Sequence, residues 1–143
     1  MKVELKLSAE IKEPYAVIYA GELTEDLQNT VSYLQNQEQI ITALEEENIV
    51  IIKPQEIDMV VSKGRTVALY CGEKEYCSRK CLYEFEEMLG NGFMRISKTT
   101  LINLSRLKHV EPSFNGMLVV LKSGHKDYIS RKYLPLFKKY IGL

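Results

Sequence analysis

The sequence predicts a mainly β fold, α+β overall, of small antiparallel sheets with a short internal helix and a C-terminal helix, preceded by an N-terminal β-β-α extension. Three observations predict it. Short alternating runs, "IDMVVS", "TVALYC" and "EYCS", are separated by turns at Gly64 and Gly72, the layout of an antiparallel meander. The Asn115–Gly116 pair lies between "HVEPSF" and "MLVVL", where it suits the positive φ angles of a type I′ hairpin. Helical periodicity is confined to short stretches, and no internal repeat or low-complexity segment is present.

Taken in order, "KVELKL" alternates and predicts a strand, and "YAVIYA" predicts a second. In "GELTEDLQNTVSYLQNQEQ", Thr24 is placed to cap a helix. Glu25 and Asp26 fall in its first turn, where the dipole favours acids, and Leu27, Val31 and Leu34 share a face. "QIITALEEENIVIIKPQEI" reads as two strands around an acidic turn, with Pro54 ending the second ladder or lying at its edge. After the meander, Ser78 is the expected N-cap of a helix over "RKCLYEFEEMLG", with Leu82, Phe85 and Leu89 as its apolar stripe and Gly90 just past its end. The other face of that helix carries Glu84, Glu86 and Glu87, which DNA repels, so it is a core helix and not a recognition helix.

In "GFMRISKTTLINLSRLKHV", Met94, Ile96, Ile102 and Leu104 share one phase of a period-2 pattern, and Lys98 and Thr100 interrupt it. Two short strands joined by a polar crossing at 98–100 account for this. The Asn115–Gly116 hairpin and a turn at Ser123–Gly124 lead into "KDYIS". "RKYLPLFKKYIGL" then closes the chain as a helix starting near Ser130 or Lys132, with Pro135 close to its first turn.

At 143 residues the chain is one domain, or one domain with a small appendage, long enough to bury a real core. No apolar run approaches the ~18 residues that cross a bilayer, and the N-terminus lacks a signal-peptide layout, so a cytoplasmic location is expected. The net charge is zero, but the charges are segregated: residues 1–50 hold 3 Lys/Arg against 10 Asp/Glu, and residues 91–143 hold 10 against 2. An excess of this kind can serve solubility alone; the sharper reading is a face that binds a polyanion.

Cys71, Cys77 and Cys81 cannot all pair, and reduced thiols are expected. Cys77 and Cys81 have a spacing that metal sites use, but only His109 and His125 could complete a closed zinc site, and they belong to separate strands, so neither metal nor cofactor is expected. Neither histidine has an obvious orienting acid beside it for nucleophilic catalysis, and "GNG" lacks the rest of a phosphate-cradling loop. The chain is therefore read as a non-enzyme without a small-molecule substrate. Nucleic-acid binding has more behind it, because Arg95, Lys98, Arg106, Lys108, Lys122, Lys126, Arg131, Lys132, Lys138 and Lys139 fall mostly at turns and strand ends. No helix has the neighbours for a helix-turn-helix, so loops would have to do the reading.

From about residue 46 onward the chain resembles the LytTR DNA-binding domain of bacterial transcription regulators. The resemblance rests on "IDMVVS", "CLYEFEEML", the signature "GFMRISKTTLINLSRLKHV", and "NGMLVVLKSGHKDYISRKYLPLFKKYI", in that order. Within the signature, Phe93, Arg95, Ile96, Ser97, Lys98, Leu101, Ile102 and Asn103 follow the family pattern; Thr99 stands for the usual Ser and Thr100 for the usual aromatic.

The resemblance implies a double-stranded DNA partner, read through loops in successive major grooves as paired direct repeats by a homodimer. It points to Lys98, Arg131 and either Lys63 or Arg65. Chemistry sorts the candidates further: Lys98 and Arg131 suit base edges, and Arg65, Lys63, Ser97, Thr99 and Lys132 suit phosphate or positioning contacts. Arg95 is read as a brace to a carboxylate and Asn103 as a turn residue. About 45 residues precede the similar region, too few for a receiver domain. Residues 1–45 are expected to form a separate extension and residues 46–143 the DNA-binding domain. Short relatives restrained by a small membrane protein make an inhibitory membrane partner a hypothesis, with the acidic extension as its dock, as a dimer contact, as a shield for the basic face, or as a layer completing the sheet. The rival reading is a protein-interaction or sensory module that kept the fold and lost specific DNA binding.

Overall fold

The computed structural model describes residues 1–35, 39–114 and 116–143. Its elements in chain order are helix α1 (Glu25–Gln35), strands β1 (Ile41–Glu45), β2 (Asn48–Ile52), β3 (Met59–Ser62), β4 (Val67–Cys71) and β5 (Lys74–Ser78), and helix α2 (Leu82–Leu89). Then come β6 (Phe93–Arg95), β7 (Thr100–Asn103), β8 (Leu107–Ser113), β9 (Gly116–Leu121), β10 (Lys126–Ile129) and helix α3 (Leu134–Tyr140). One antiparallel sheet has seven strands in the order β2-β1-β5-β4-β3-β7-β6, and a second has three in the order β10-β9-β8. The expected mainly β architecture with an internal and a C-terminal helix is what forms.

Alternation in the central strands sends neighbouring residues to opposite sides of the large sheet, and both sides are covered. Val60, Leu69 and Leu101 join Leu82, Phe85 and Leu89 of α2 in one core. Their neighbours Met59, Tyr70 and Ile102 join Val119, Leu121, Ile129 and Phe137 in a second core, under the small sheet and α3. Met94, Ile96, Ile102 and Leu104 all belong to this second core, as their shared phase predicts. Each fully buried aliphatic side chain of this kind contributes roughly 1.5–3 kcal/mol.

The N-terminal strands are a correction. Neither "KVELKL" nor "YAVIYA" forms a strand; residues 1–20 have no regular structure, and Val3, Leu5, Leu7, Tyr15, Val17 and Tyr19 are exposed. Alternation marks which side of a strand would be apolar but supplies no ladder partner, and an unpaired strand leaves its backbone groups to water. The helix of the extension does form, and Leu27 donates its amide to Thr24 Oγ1 at 3.2 Å, the expected cap. β1, inside the segment read as an extension, is a strand of the large sheet, paired with β2 and β5.

Ser78 does not cap α2. It ends β5, and its hydroxyl accepts the Lys80 amide at 3.2 Å in a local turn, a reach that serine favours as readily as a helix cap. The helix starts after Cys81, whose amide donates to the Glu84 carboxylate at 3.4 Å. Gly90 ends it with φ 64°, a conformation that costs glycine little. α3 begins at Leu134, later than expected, after a turn in which the Leu134 amide donates to the Ser130 carbonyl at 3.0 Å; Pro135 then lies in the first turn, where no donor is needed. Of the Asn115–Gly116 turn, Asn115 lies outside the described residues, and Gly116 has φ 118°.

Candidate nucleic-acid interface

β6 and β7 pair with Met94 opposite Ile102, leaving residues 96–99 as the loop between them. Ile96 is buried and anchors the loop, and its amide donates to the Thr100 carbonyl at 3.0 Å. The Thr99 amide donates to Ser97 Oγ at 3.2 Å, and the two hydroxyls lie 3.3 Å apart. Lys98 and Thr99 are exposed and Ser97 is half-buried. Thr100, read from sequence as part of the polar crossing, is instead fully buried in β7, where its hydroxyl donates to Asp127 Oδ2 at 2.6 Å.

Two other segments are stitched to this loop through the backbone. On one side the Ser62 amide, at the end of β3, donates to the Thr99 carbonyl at 2.7 Å, and the turn that follows closes through the Lys63 amide to the Thr66 carbonyl at 2.8 Å. On the other side the Ser130 amide, just after β10, donates to the Ile96 carbonyl at 2.8 Å. The three segments thus meet: residues 62–66 with Lys63 and Arg65, residues 96–99 with Ser97, Lys98 and Thr99, and residues 130–133 with Arg131 and Lys132. Those five cations are exposed, and the three segments contain no acidic residue. The Lys132 ammonium lies 5.4 Å from the Tyr133 ring centroid, near enough for a weak cation–π attraction.

Two other basic residues, Arg95 and Arg106, and the buried Asn103 are tied to the fold. Arg95 Nε is 3.3 Å from the Glu86 carboxylate, the expected brace, without the alignment of a hydrogen bond. Asn103 is buried; its amide donates to the Ile57 carbonyl at 2.8 Å and its oxygen accepts the Ser105 amide at 3.0 Å, the expected turn role. Arg106 donates to the Gln55 carbonyl at 2.8 Å and lies 3.7 Å from the buried Asp58 carboxylate. Sequence reasoning missed Asp127 and the structural use of Thr100. The available signal was a lone acid among the last thirty residues of a basic segment, which needs a partner.

The groups weighed for chemistry go elsewhere. His109 does have an acid beside it, Glu111 at 2.9 Å: two positions apart on one strand puts both on the same face, a spacing the sequence reading overlooked. His125 contacts the Gly72 carbonyl at 2.8 Å and packs its ring against Tyr70, 4.8 Å between centroids and tilted by 50°. The cysteines are free thiols, and burial, reinforced by Asp58 and Glu56, pushes Cys71 up to about 12. Among the described residues no three His, Cys, Asp or Glu gather as a metal site. A cavity of about 410 Å³ lies between α1 and the body of the fold, where Asn91 donates to Asn29 at 2.9 Å; none of the seven candidate residues lines it.

The model of the LytTr DNA-binding domain matches residues 47–142, and so takes in all three segments. The chain belongs to this family. An uncharacterized HTH-type transcriptional regulator from Staphylococcus aureus strain NCTC 8325 is 26% identical over the whole of this chain and 99% of its own length. A counterpart from the bovine strain RF122 is 27% identical with the same coverage. Among solved structures, a LytTr DNA-binding domain of a Bacillus cereus response regulator matches with a TM-score of 0.68 at 18% identity, covering 74% of this chain and 99% of that one. LytTR domains bind DNA and are not an enzyme class, and this chain is a DNA-binding protein of that kind. Among the described residues no two α-helices adjoin as a helix-turn-helix, since five strands separate α1 from α2 and five separate α2 from α3. No described helix is long and apolar enough to cross a membrane.

Proposed function

We propose that this protein is a cytoplasmic, sequence-specific transcription regulator that reads paired direct repeats in the major groove, one protomer per repeat. The observation that carries the reading is the junction of three acid-free, cation-bearing segments through backbone hydrogen bonds at Ser62, Thr99, Ser130 and Ile96. Backbone ties hold loops in register while their five cations stay exposed to meet DNA. Arg131 suits a guanine bidentately and Lys98 reaches the same acceptors, so these two read bases. Lys63, Arg65, Ser97, Thr99 and Lys132 contact phosphates and set the register.

In this reading residues 46–143 are the DNA-binding unit and residues 1–45 its regulatory extension. The exposed apolar residues of the first twenty positions supply a docking segment for a second protomer or for an inhibitory membrane partner.

The experiment is selection from a random duplex library, followed by titration of duplexes carrying one or two copies of the recovered motif. The expected result is an enriched repeat about one helical turn from its copy and a stoichiometry of two on the paired duplex. Recovery of no motif would favour the rival, an interaction module that does not read sequence.

A further inference from the structure

A hydroxyl buried in a strand is costly unless it is bonded, and the Thr100 hydroxyl, on a residue with no exposed surface, has a short bond to a carboxylate. That bond runs between the two sheets, from β7 of the large one to β10 of the small one. Its acceptor is held at both ends: Asp127 Oδ2 takes the Thr100 hydroxyl, and Oδ1 accepts the Tyr128 amide at 2.8 Å.

We infer that the Thr100–Asp127 hydrogen bond is a positioning device that sets the spacing between the 96–99 loop and the 130–133 turn, and thereby which DNA sequence the two can read together. The inference rests on the sequence-reading function proposed above. The connectivity supports it. The chain from Ile96 to Thr100, the bond from Thr100 to Asp127, the chain from Asp127 to Ser130 and the bond from Ser130 back to Ile96 form a closed ring. A single tie would leave a hinge; two ties fix an angle as well as a distance. Lys98 lies within the first chain span and Arg131 immediately follows the second.

Charge adds a second reason. Asp127 and Glu111 are the only acids after residue 90, and Asp127 is four positions before Arg131. Bonded to Thr100, the carboxylate is kept in the sheet junction; released, it is available to neutralise a cation of the reading edge or to repel phosphate.

The test uses the full chain and a duplex recovered by the selection above, with a scrambled duplex beside it, for wild type, Thr100→Val, Thr100→Ser, Asp127→Ala and the Thr100→Val/Asp127→Ala pair. Thr100→Val keeps the shape and removes the hydroxyl. It is expected to lower the ratio of specific to nonspecific affinity roughly ten-fold, the size of one base contact no longer met. Thr100→Ser should retain the ratio, and the double variant should lose no more than the larger single loss. Hydrogen exchange at the Ser130 and Ser62 amides should quicken in Thr100→Val. A wild-type ratio in Thr100→Val would overturn the inference, as would losses that add in the double variant. If wild type itself fails to distinguish the duplexes, the regulator reading falls, and exchange decides the positioning claim: unchanged protection at Ser130 overturns it, and faster exchange supports the ring.

Discussion

Two alternating runs in this chain meet opposite fates. "KVELKL" has Val3, Leu5 and Leu7 in phase and stays unpaired, with Leu7 90% exposed; the run from Phe93 to Asn103 has Met94, Ile96 and Ile102 in phase and becomes a hairpin, with Ile102 1% exposed. The patterns are similar, so pattern does not decide. The second run has β3 to pair with and the small sheet to cover its apolar face, and the first has neither. Period-2 alternation is thus a statement about faces, whereas strand formation is a statement about neighbours.

The largest effect should separate these two runs. Ile102→Ala is expected to cost about 2–5 kcal/mol in denaturant unfolding, through lost burial and the cavity left behind. The adjacent cations Arg131 and Lys132 should separate next, by function. Arg131→Ala is expected to lose roughly 1–3 kcal/mol of preference for the operator over a scrambled duplex. Lys132→Ala should weaken both duplexes alike and reduce the salt slope by about 0.9; anisotropy titrations at several salt concentrations read both.

A third contrast concerns the thiols. Cys71 titrates at about 12 against an ordinary 9.0, chiefly because it is buried. The unfolded chain therefore releases this proton at a lower pH than the folded one. The contribution to stability is fully present below pH 9.0 and is lost as pH rises toward 12. Cys71→Ser should flatten that part of the stability profile relative to wild type, and at pH 8 a thiol reagent should label exposed Cys81 well before Cys71. The smallest effect returns to the first comparison: Leu5→Ala, on an exposed side chain, should change unfolding by no more than about 0.5 kcal/mol.

Most of the fold was legible because its signals are local. Gly64, Gly72 and Gly124 mark turns, the Leu82, Phe85 and Leu89 stripe marks α2, and the phase break at Lys98 marks the loop. The misreadings are all about partners. The N-terminal strands lacked a ladder, Ser78 had a nearer amide to accept, and Thr100 had Asp127, a residue 27 positions away. Of the seven candidate residues, Ser97, Lys98 and Thr99 were legible through the family signature, Arg131 and Lys132 through the family pattern and the basic composition of the last third, and Lys63 and Arg65 through the turn after the first core strand. Their meeting was not, because it depends on backbone bonds from Ser62 and Ser130 to a loop more than thirty residues distant in sequence.

The most direct measurement is anisotropy of wild type and the Lys98→Ala/Arg131→Ala variant on the selected operator and its scrambled control, with the melting temperature of each protein alongside. The account predicts that the variant melts like wild type, keeps its weak nonspecific binding and loses the preference, by roughly 1–3 kcal/mol for each base contact removed. A variant that keeps the full preference would contradict it, because the edge formed by these three segments would then not be what reads the DNA.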